Sequence, residues 1–348
     1  MTDRKKITPL SKLGEFGLID RLTRDLKINQ VSTVKGVGDD AAVVDYKGKK
    51  MVVTTDLLVE GIHFNLIYTP LKHLGYKSVI VNLSDVYAMN GHPRQVLVSL
   101  AISAKFSVEA VEQLYEGIRM ACEKYNVDLV GGDTTTSLTG LIINVVAMGE
   151  VEKGGLAYRN TARVNDLICV SGDLGAAYMG LQLLERERKV FNESGEGIQP
   201  DLSGYDYILG RQLKPEARKD IIESLHDHQI VPGAMIDLSD GLSSDLIHIC
   251  RQSVLGCRIF QDRIPMAEET KRAASEMNIE PFIAALNGGE DYELLFTIPL
   301  NQHDEVMKIK DITVIGHITE KEAGMKFVTV QGDEIELQAQ GWNSFGHE

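Results

Sequence analysis

Residues 71–89, LKHLGYKSVIVNLSDVYAM, repeat apolar side chains at Leu71, Leu74, Val79, Leu83, Val86 and Met89. That 3.6-residue spacing predicts a half-buried amphipathic helix. Upstream, Met51–Thr55 is a short apolar run of strand character, and downstream Leu97–Ile102 is another. A second helix is predicted over Ser107–Tyr125, which opens on a capping serine with a glutamate in its first turn. Alternation of strands and helices of this kind specifies an α/β or α+β protein. The same alternation continues through strands at Leu141–Met148, Leu167–Val170, Cys257–Ile259 and Leu294–Ile298. Further helices are predicted at Gly175–Glu187, Glu216–His226 and Leu242–Arg251.

The chain has 348 residues, about twice the ~150 of one domain. Two domains are therefore expected, 1–150 and 151–348, with the division in the polar, glycine-rich stretch near Glu150–Arg163. Residues 186–205 are polar with several glycines and read as an exposed, mobile insertion. Fifty acidic against 36 basic residues give a formal charge of −14. With no basic run, a nucleic-acid or anionic-membrane partner is not expected. MTDRKKITPL at the start has no apolar segment behind it, and no uncharged stretch approaches the ~18 residues of a membrane span. The reading is a cytoplasmic protein.

Several chemistries find no support. The sequence has no G-x-x-x-x-G-K-[ST] loop, no G-x-S-x-G elbow and no H-E-x-x-H pair. Gly36-Val-Gly-Asp-Asp-Ala matches a dinucleotide fingerprint in spacing, but the adjoining Ala42-Val-Val-Asp-Tyr reads as extended and not helical. The cysteines at 122, 169, 250 and 257 form no C-x-x-C pair; Cys122 and Cys250 continue apolar helical stripes, so packed, reduced thiols are expected.

What the sequence does carry is a set of aspartates at strand ends and turns, beside small or hydroxyl residues. They are Gly38-Asp-Asp40, Thr54-Thr-Asp56, Asn82-Leu-Ser-Asp85, Gly131-Gly-Asp-Thr-Thr135 and Asp237-Leu-Ser-Asp-Gly241. Singly, each suits a solvated turn equally well. Asp85 is different: with Asn82 it shares a helix face next to the apolar row, so both polar groups are expected to be partly buried. If these segments converge, two carboxylates ~4 Å apart repel by about 4 kcal/mol at an effective dielectric of ~20. Such a group needs cations, and an all-oxygen donor set without Cys or His points to Mg²⁺, which prefers a few carboxylates plus ligand phosphates. A metal-bound nucleotide is the natural cargo. Arg159 is a candidate phosphate clamp, or simply a solvated surface arginine.

Taken together, seven motifs in this order resemble the thiamine-monophosphate kinase family, of the aminoimidazole ribonucleotide synthetase-like superfamily. They are Gly14-Glu-Phe-Gly-Leu-Ile, Gly36-Val-Gly-Asp-Asp-Ala-Ala, Thr54-Thr-Asp-Leu-Leu-Val-Glu-Gly-Ile-His-Phe, Asn82-Leu-Ser-Asp, Gly131-Gly-Asp-Thr-Thr, Asp237-Leu-Ser-Asp-Gly-Leu and Gly288-Gly-Glu-Asp-Tyr-Glu-Leu. The resemblance implies a two-domain kinase fold whose N-terminal domain binds ATP and Mg²⁺ and pairs with a second copy to close a β-barrel. The C-terminal domain would complete the active site. It implies several Mg²⁺ ions on Asp40, Thr54, Thr55, Asp56, Asp85, Asp133, Asp237 and Asp240. Asp56, Asp85, Asp133 and Asp240 would be catalytic. It further implies nucleotide contacts at Tyr115, Gly132, Asp133, Arg159 and Ser239, and thiamine-phosphate contacts at His63, Glu290 and Trp342. Asn90, where the family usually has glycine, departs from the pattern without touching a metal ligand.

The activity so implied is transfer of the γ-phosphoryl group of ATP to thiamine monophosphate, giving thiamine diphosphate. Its acceptor is an already ionised phosphate oxygen, so the work is positioning and charge neutralisation, which suits a site rich in Asp and poor in His. Two other readings stand beside it: a relative that activates an amide or selenide acceptor with ATP, and a metal- or nucleotide-binding protein without turnover.

Overall fold

A computed structural model describes residues 32–35, 38–46, 49–194 and 202–339. The Gly14–Ile19 motif, Gly36-Val37 and Trp342 lie outside the described residues. In chain order the elements are β1 (Thr33–Lys35), β2 (Ala42–Tyr46), β3 (Lys49–Val59), α1 (Leu71–Ala88), β4 (His92–Ile102), α2 (Val108–Tyr125), β5 (Asp128–Thr136) and β6 (Ile142–Val151). The second half adds β7 (Leu167–Ser171), α3 (Ala176–Ser194), α4 (Asp206–Leu213), α5 (Lys219–Asp227), β8 (Met235–Asp237), α6 (Leu242–Ser253), β9 (Gly256–Phe260), α7 (Glu268–Glu276) and α8 (Pro281–Asn287). It closes with β10 (Leu294–Ile298), α9 (His303–Val306), β11 (Ile312–Thr319), β12 (Met325–Val328) and β13 (Glu334–Glu336).

The strands form two sheets. The first has the order β1-β2-β3-β6-β4-β5 and the second β13-β12-β9-β11-β7-β10-β8. Pairing is antiparallel except for β4 with β5 and β9 with β12. Ala42–Tyr46 is a strand, as the extended reading after Gly36-Val-Gly required, and no helix succeeds that glycine turn.

One helix departs from expectation. The spacing over residues 71–89 predicts one buried face, yet α1 buries fourteen of its residues, polar ones included. The reason is its position: it packs on β3, β4 and β6 of the first sheet, on α2, and on β8 of the second sheet. A helix covered on all sides has no solvent face on which to put Lys77, Ser78, Asn82 and Ser84, so these are held inside. Its contact with α2 is backbone on backbone. A Cβ at Gly75 would lie 1.9 Å from Leu114 O, and one at Gly117 would lie 1.8 Å from Lys72 O.

A single apolar cluster runs from the first sheet through α1 to Met235, Leu294 and Phe296 of the second. The two halves therefore share core. Within the expected insertion, residues 186–194 are helical, because α3 continues through Ser194, and several of them are exposed, while residues 195–201 lie outside the described residues. The helical stretch is rich in good helix formers, and Arg188 pairs with Glu185 one turn back at 2.5 Å. The four cysteines are free thiols and buried, as expected.

Candidate active site

Three separate segments bring carboxylates to one point. Asp40 comes just after the turn at Gly38, Asp85 projects from α1, and Asp237 ends β8; one oxygen from each lies within 4.8 Å of the others. Asp40 and Asp237 are 7% and 3% exposed. Thr54 of β3 donates to Asp85 Oδ2 at 2.5 Å, and Ser84 donates to Asp237 Oδ2 at 2.7 Å. Asn82, fully buried, accepts the Asp56 N–H at 2.9 Å and donates to Ser78 O, which ties β3 to α1. Arg159 is not a solvated surface arginine. Its Nε donates to Asp40 Oδ2 at 2.6 Å, and its backbone N–H faces the Asp39 carboxylate.

The electrostatics are those of crowded acids. Burial, and after it the charge of Asp40, pushes Asp56 up to about 6 and Asp237 up to about 8. Burial and then Asp40 raise Asp39 to about 6 as well. Asp85 is driven well above the usual carboxylate range by burial and then by Asp56, Asp237 and Asp40. Each shift says that negative charge here lacks compensation. Asp40 Oδ1 is buried and has no hydrogen-bond partner. A buried, unpartnered carboxylate oxygen among two further acids and a threonine hydroxyl is a donor set that fits a hard divalent cation.

Asp240 lies half-buried beside this group, on the turn after β8. Its backbone N–H and that of Gly241 both donate to Asp245 Oδ2 at 3.2 Å, so Asp245 fixes the turn. Ser239 is exposed on the same turn, and its carbonyl accepts the Glu290 N–H at 2.8 Å. The Glu290 carboxylate is held by Lys77 at 3.1 Å and by Gln212 Nε2 at 2.8 Å. His63 is exposed, with Nδ1 accepting from Val59 N at 3.1 Å.

The remaining residues form a second constellation. Tyr115, Gly132 and Asp133 line a cavity of about 530 Å³ along β5, with Leu129, Val130, Gly131 and Thr134. Asp56, Val145, Val98 and Gly132 stand in one register row across the sheet. Gly132 is therefore three strand spacings, about 14 Å, from Asp56. Alternation puts Asp133 on the other face, in line with Ser99 and Asn144, together with Thr55, whose Oγ1 accepts from Asn144 at 2.8 Å. Asp133 is exposed and does not share the Asp40–Asp85–Asp237 group. Gly132 has a packing reason of its own, since a Cβ there would lie 1.7 Å from Val98 O.

Sequence reading did not single out Lys77, Gln212, Asn144 or Asp245, and named Ser84 only as the hydroxyl neighbour of Asp85. Lys77 could have been found as a polar residue interrupting an apolar helix; Gln212 carries no such signal.

Known proteins extend this picture. A family model described as AIR synthase related protein, N-terminal domain, matches residues 38–151. The thiamine-monophosphate kinase of Aquifex aeolicus (strain VF5) is 36% identical over 336 residues, covering 97% of this chain and 99% of the relative. That of Bacillus subtilis (strain 168) is 34% identical over 342 residues, covering 96% and 100%. Among solved structures, AaThiL complexed with AMPPCP and TMP matches with a TM-score of 0.81 at 34% identity, over 97% of this chain and 99% of that one.

Proposed function

Because the chain belongs to the thiamine-monophosphate kinase family, we propose that it phosphorylates thiamine monophosphate with ATP, by direct in-line transfer of the γ-phosphoryl group, giving thiamine diphosphate and ADP. The observation that carries this reading is the near-full-length match to a relative solved with an ATP analogue and TMP. The carboxylate group supplies its chemistry.

Asp40, Asp85 and Asp237, with Thr54, Asp56 and Asp240 around them, would hold Mg²⁺, and the motif resemblance adds Thr55 and Asp133 to that set. The chemistry such a cation would supply is neutralisation of phosphate charge, which would ease the approach of two polyanions. The protein's own part is to hold the oxygens in place: Ser84 and Thr54 orient Asp237 and Asp85, and Asn82 fixes the strand carrying Asp56. Arg159 stands against Asp40, where its guanidinium would be placed to bind a phosphate held beside these carboxylates. Tyr115, Gly132, Asp133, Arg159 and Ser239 are the proposed nucleotide contacts, and His63, Glu290 and Trp342 those to the acceptor. No general base is required, since the attacking phosphate oxygen is already ionised.

The active unit is proposed to be a homodimer formed through the first sheet. The reaction is tested by coupled measurement of ADP formed from ATP. Turnover that needs thiamine monophosphate and stops with a chelator is expected; ATP consumption indifferent to thiamine monophosphate would reject the reading.

A further inference from the structure

Glu290 sits on a strap that is fastened at both ends of its working part. Glu290 and Tyr292 adopt φ of +58° and +52°, a region that non-glycine residues seldom occupy. They are kept there because Glu290 N–H donates to Ser239 O at 2.8 Å and Tyr292 N–H donates to Leu238 O at 2.9 Å. The backbone is thus pinned to the turn that carries Asp240.

The side chain is pinned separately. Lys77 Nζ lies 3.1 Å from Glu290 Oε1 and donates to Gln212 O at 3.1 Å, while Gln212 Nε2 donates to Glu290 Oε2 at 2.8 Å. The Lys77 side chain is only 5% exposed, whereas that of Glu290 is 28% exposed. The ammonium is therefore enclosed and the carboxylate keeps an accessible edge, each oxygen keeping a lone pair for an incoming donor. Lys77 and Asp85 also belong to the same buried helix. Eight residues at ~1.5 Å each put them about 12 Å apart along α1.

We propose that Lys77 is a positioning residue for the phosphoryl acceptor. It acts through Glu290, and it sets the distance between the end of the acceptor that carries hydrogen-bond donors and positive charge and the carboxylates that govern its phosphate. This rests on the reading that Glu290 contacts thiamine monophosphate, and the test separates the two.

Steady-state kinetics with each substrate varied in turn, and thermal unfolding, are measured for Lys77→Met, Glu290→Gln and the double variant. Lys77→Met is expected to raise KM for thiamine monophosphate roughly 10-fold, with kcat within about threefold and KM for ATP unchanged. Glu290→Gln should raise the same KM, and the double variant should be no worse than Glu290→Gln alone, because Lys77 acts through that carboxylate. If Glu290→Gln raises KM and Lys77→Met does not, the role of Lys77 is overturned. If Glu290→Gln leaves KM unchanged, the underlying reading of Glu290 fails. Should Lys77→Met unfold, Lys77→Gln keeps a donor of shorter reach without the charge; an unaltered KM for thiamine monophosphate in that folded variant overturns the proposal equally.

Discussion

Asp237 and Asp56 are built for a partner that their own neighbours do not provide. Burial and the adjacent Asp40 push Asp237 up to about 8, against ~3.9 for a free aspartate. A folded-state pKa above the unfolded one means that the contribution to stability is intact below ~4 and is lost as pH rises through ~8. Asp237→Asn has no proton to lose and escapes that penalty. In chelator, the melting temperature of Asp237→Asn relative to the parent should therefore climb between pH 5 and pH 9, and added Mg²⁺ should reverse the order. A difference that stays flat across that range would contradict the electrostatic account. For turnover, Asp56→Asn or Asp133→Asn should lower kcat at least ~100-fold with folding intact, about 2.7 kcal/mol of transition-state stabilisation. Near-normal turnover in either variant would remove that residue from the metal-binding set. The acids were legible in the sequence because each stands close to Gly, Ser or Thr; the expected placement at strand ends and turns holds for Asp237, whereas Asp56 and Asp133 lie within β3 and β5 and Asp85 lies within α1. Which of them meet was not, since the approach of Asp40, Asp85 and Asp237 is set by three chain segments spread over almost 200 residues.

The elements themselves could be read largely from periodicity. Leu294–Ile298 coincides with β10, and Ser107 caps α2 as its sequence foretold, accepting from Ala110 N at 3.2 Å. What periodicity missed is coverage: the pattern of α1 announces one apolar face, and only tertiary packing reveals that the polar face is enclosed too. The glycines at the α1–α2 crossing record that enclosure. In an exposed helix, Gly117→Ala would gain up to about 1 kcal/mol from propensity. Here the new methyl would meet the Lys72 carbonyl, so the substitution should instead destabilise by about 1–3 kcal/mol. The sign is the readout, taken from denaturant unfolding. A stabilised Gly117→Ala would mean that the two helices do not approach at this point. Because α1 carries both Lys77 and Asp85, a shifted crossing should also depress kcat/KM for both substrates.

Among the described residues, one side of the first sheet is uncovered. α1 and α2 pack on one face, where Val96, Val98, Ile143 and Val145 are buried, while β5 is exposed along its whole length. An edge strand pairing only with β4 and bearing Leu129 and Val130 is a template for another chain, and Leu57 of β3, 52% exposed, adds apolar surface on the open face. The proposed second copy would suit this edge, since the proposed nucleotide contacts Gly132 and Asp133 lie on this same strand and Tyr115 lines the cavity beside it. Cover of that edge would then add a wall to the cavity beyond those the described residues provide. Sedimentation should therefore find a dimer at micromolar concentration. Val130→Glu together with Leu57→Glu should yield a folded monomer, because both side chains are exposed in the single chain and their replacement leaves its core intact. KM for ATP should rise by an order of magnitude or more in that monomer if the partner completes the nucleotide cavity. A parent protein that sediments as a monomer while turning over at full rate would refute this. A monomeric variant with unchanged KM for ATP would confine the interface to assembly and leave nucleotide binding to each chain alone.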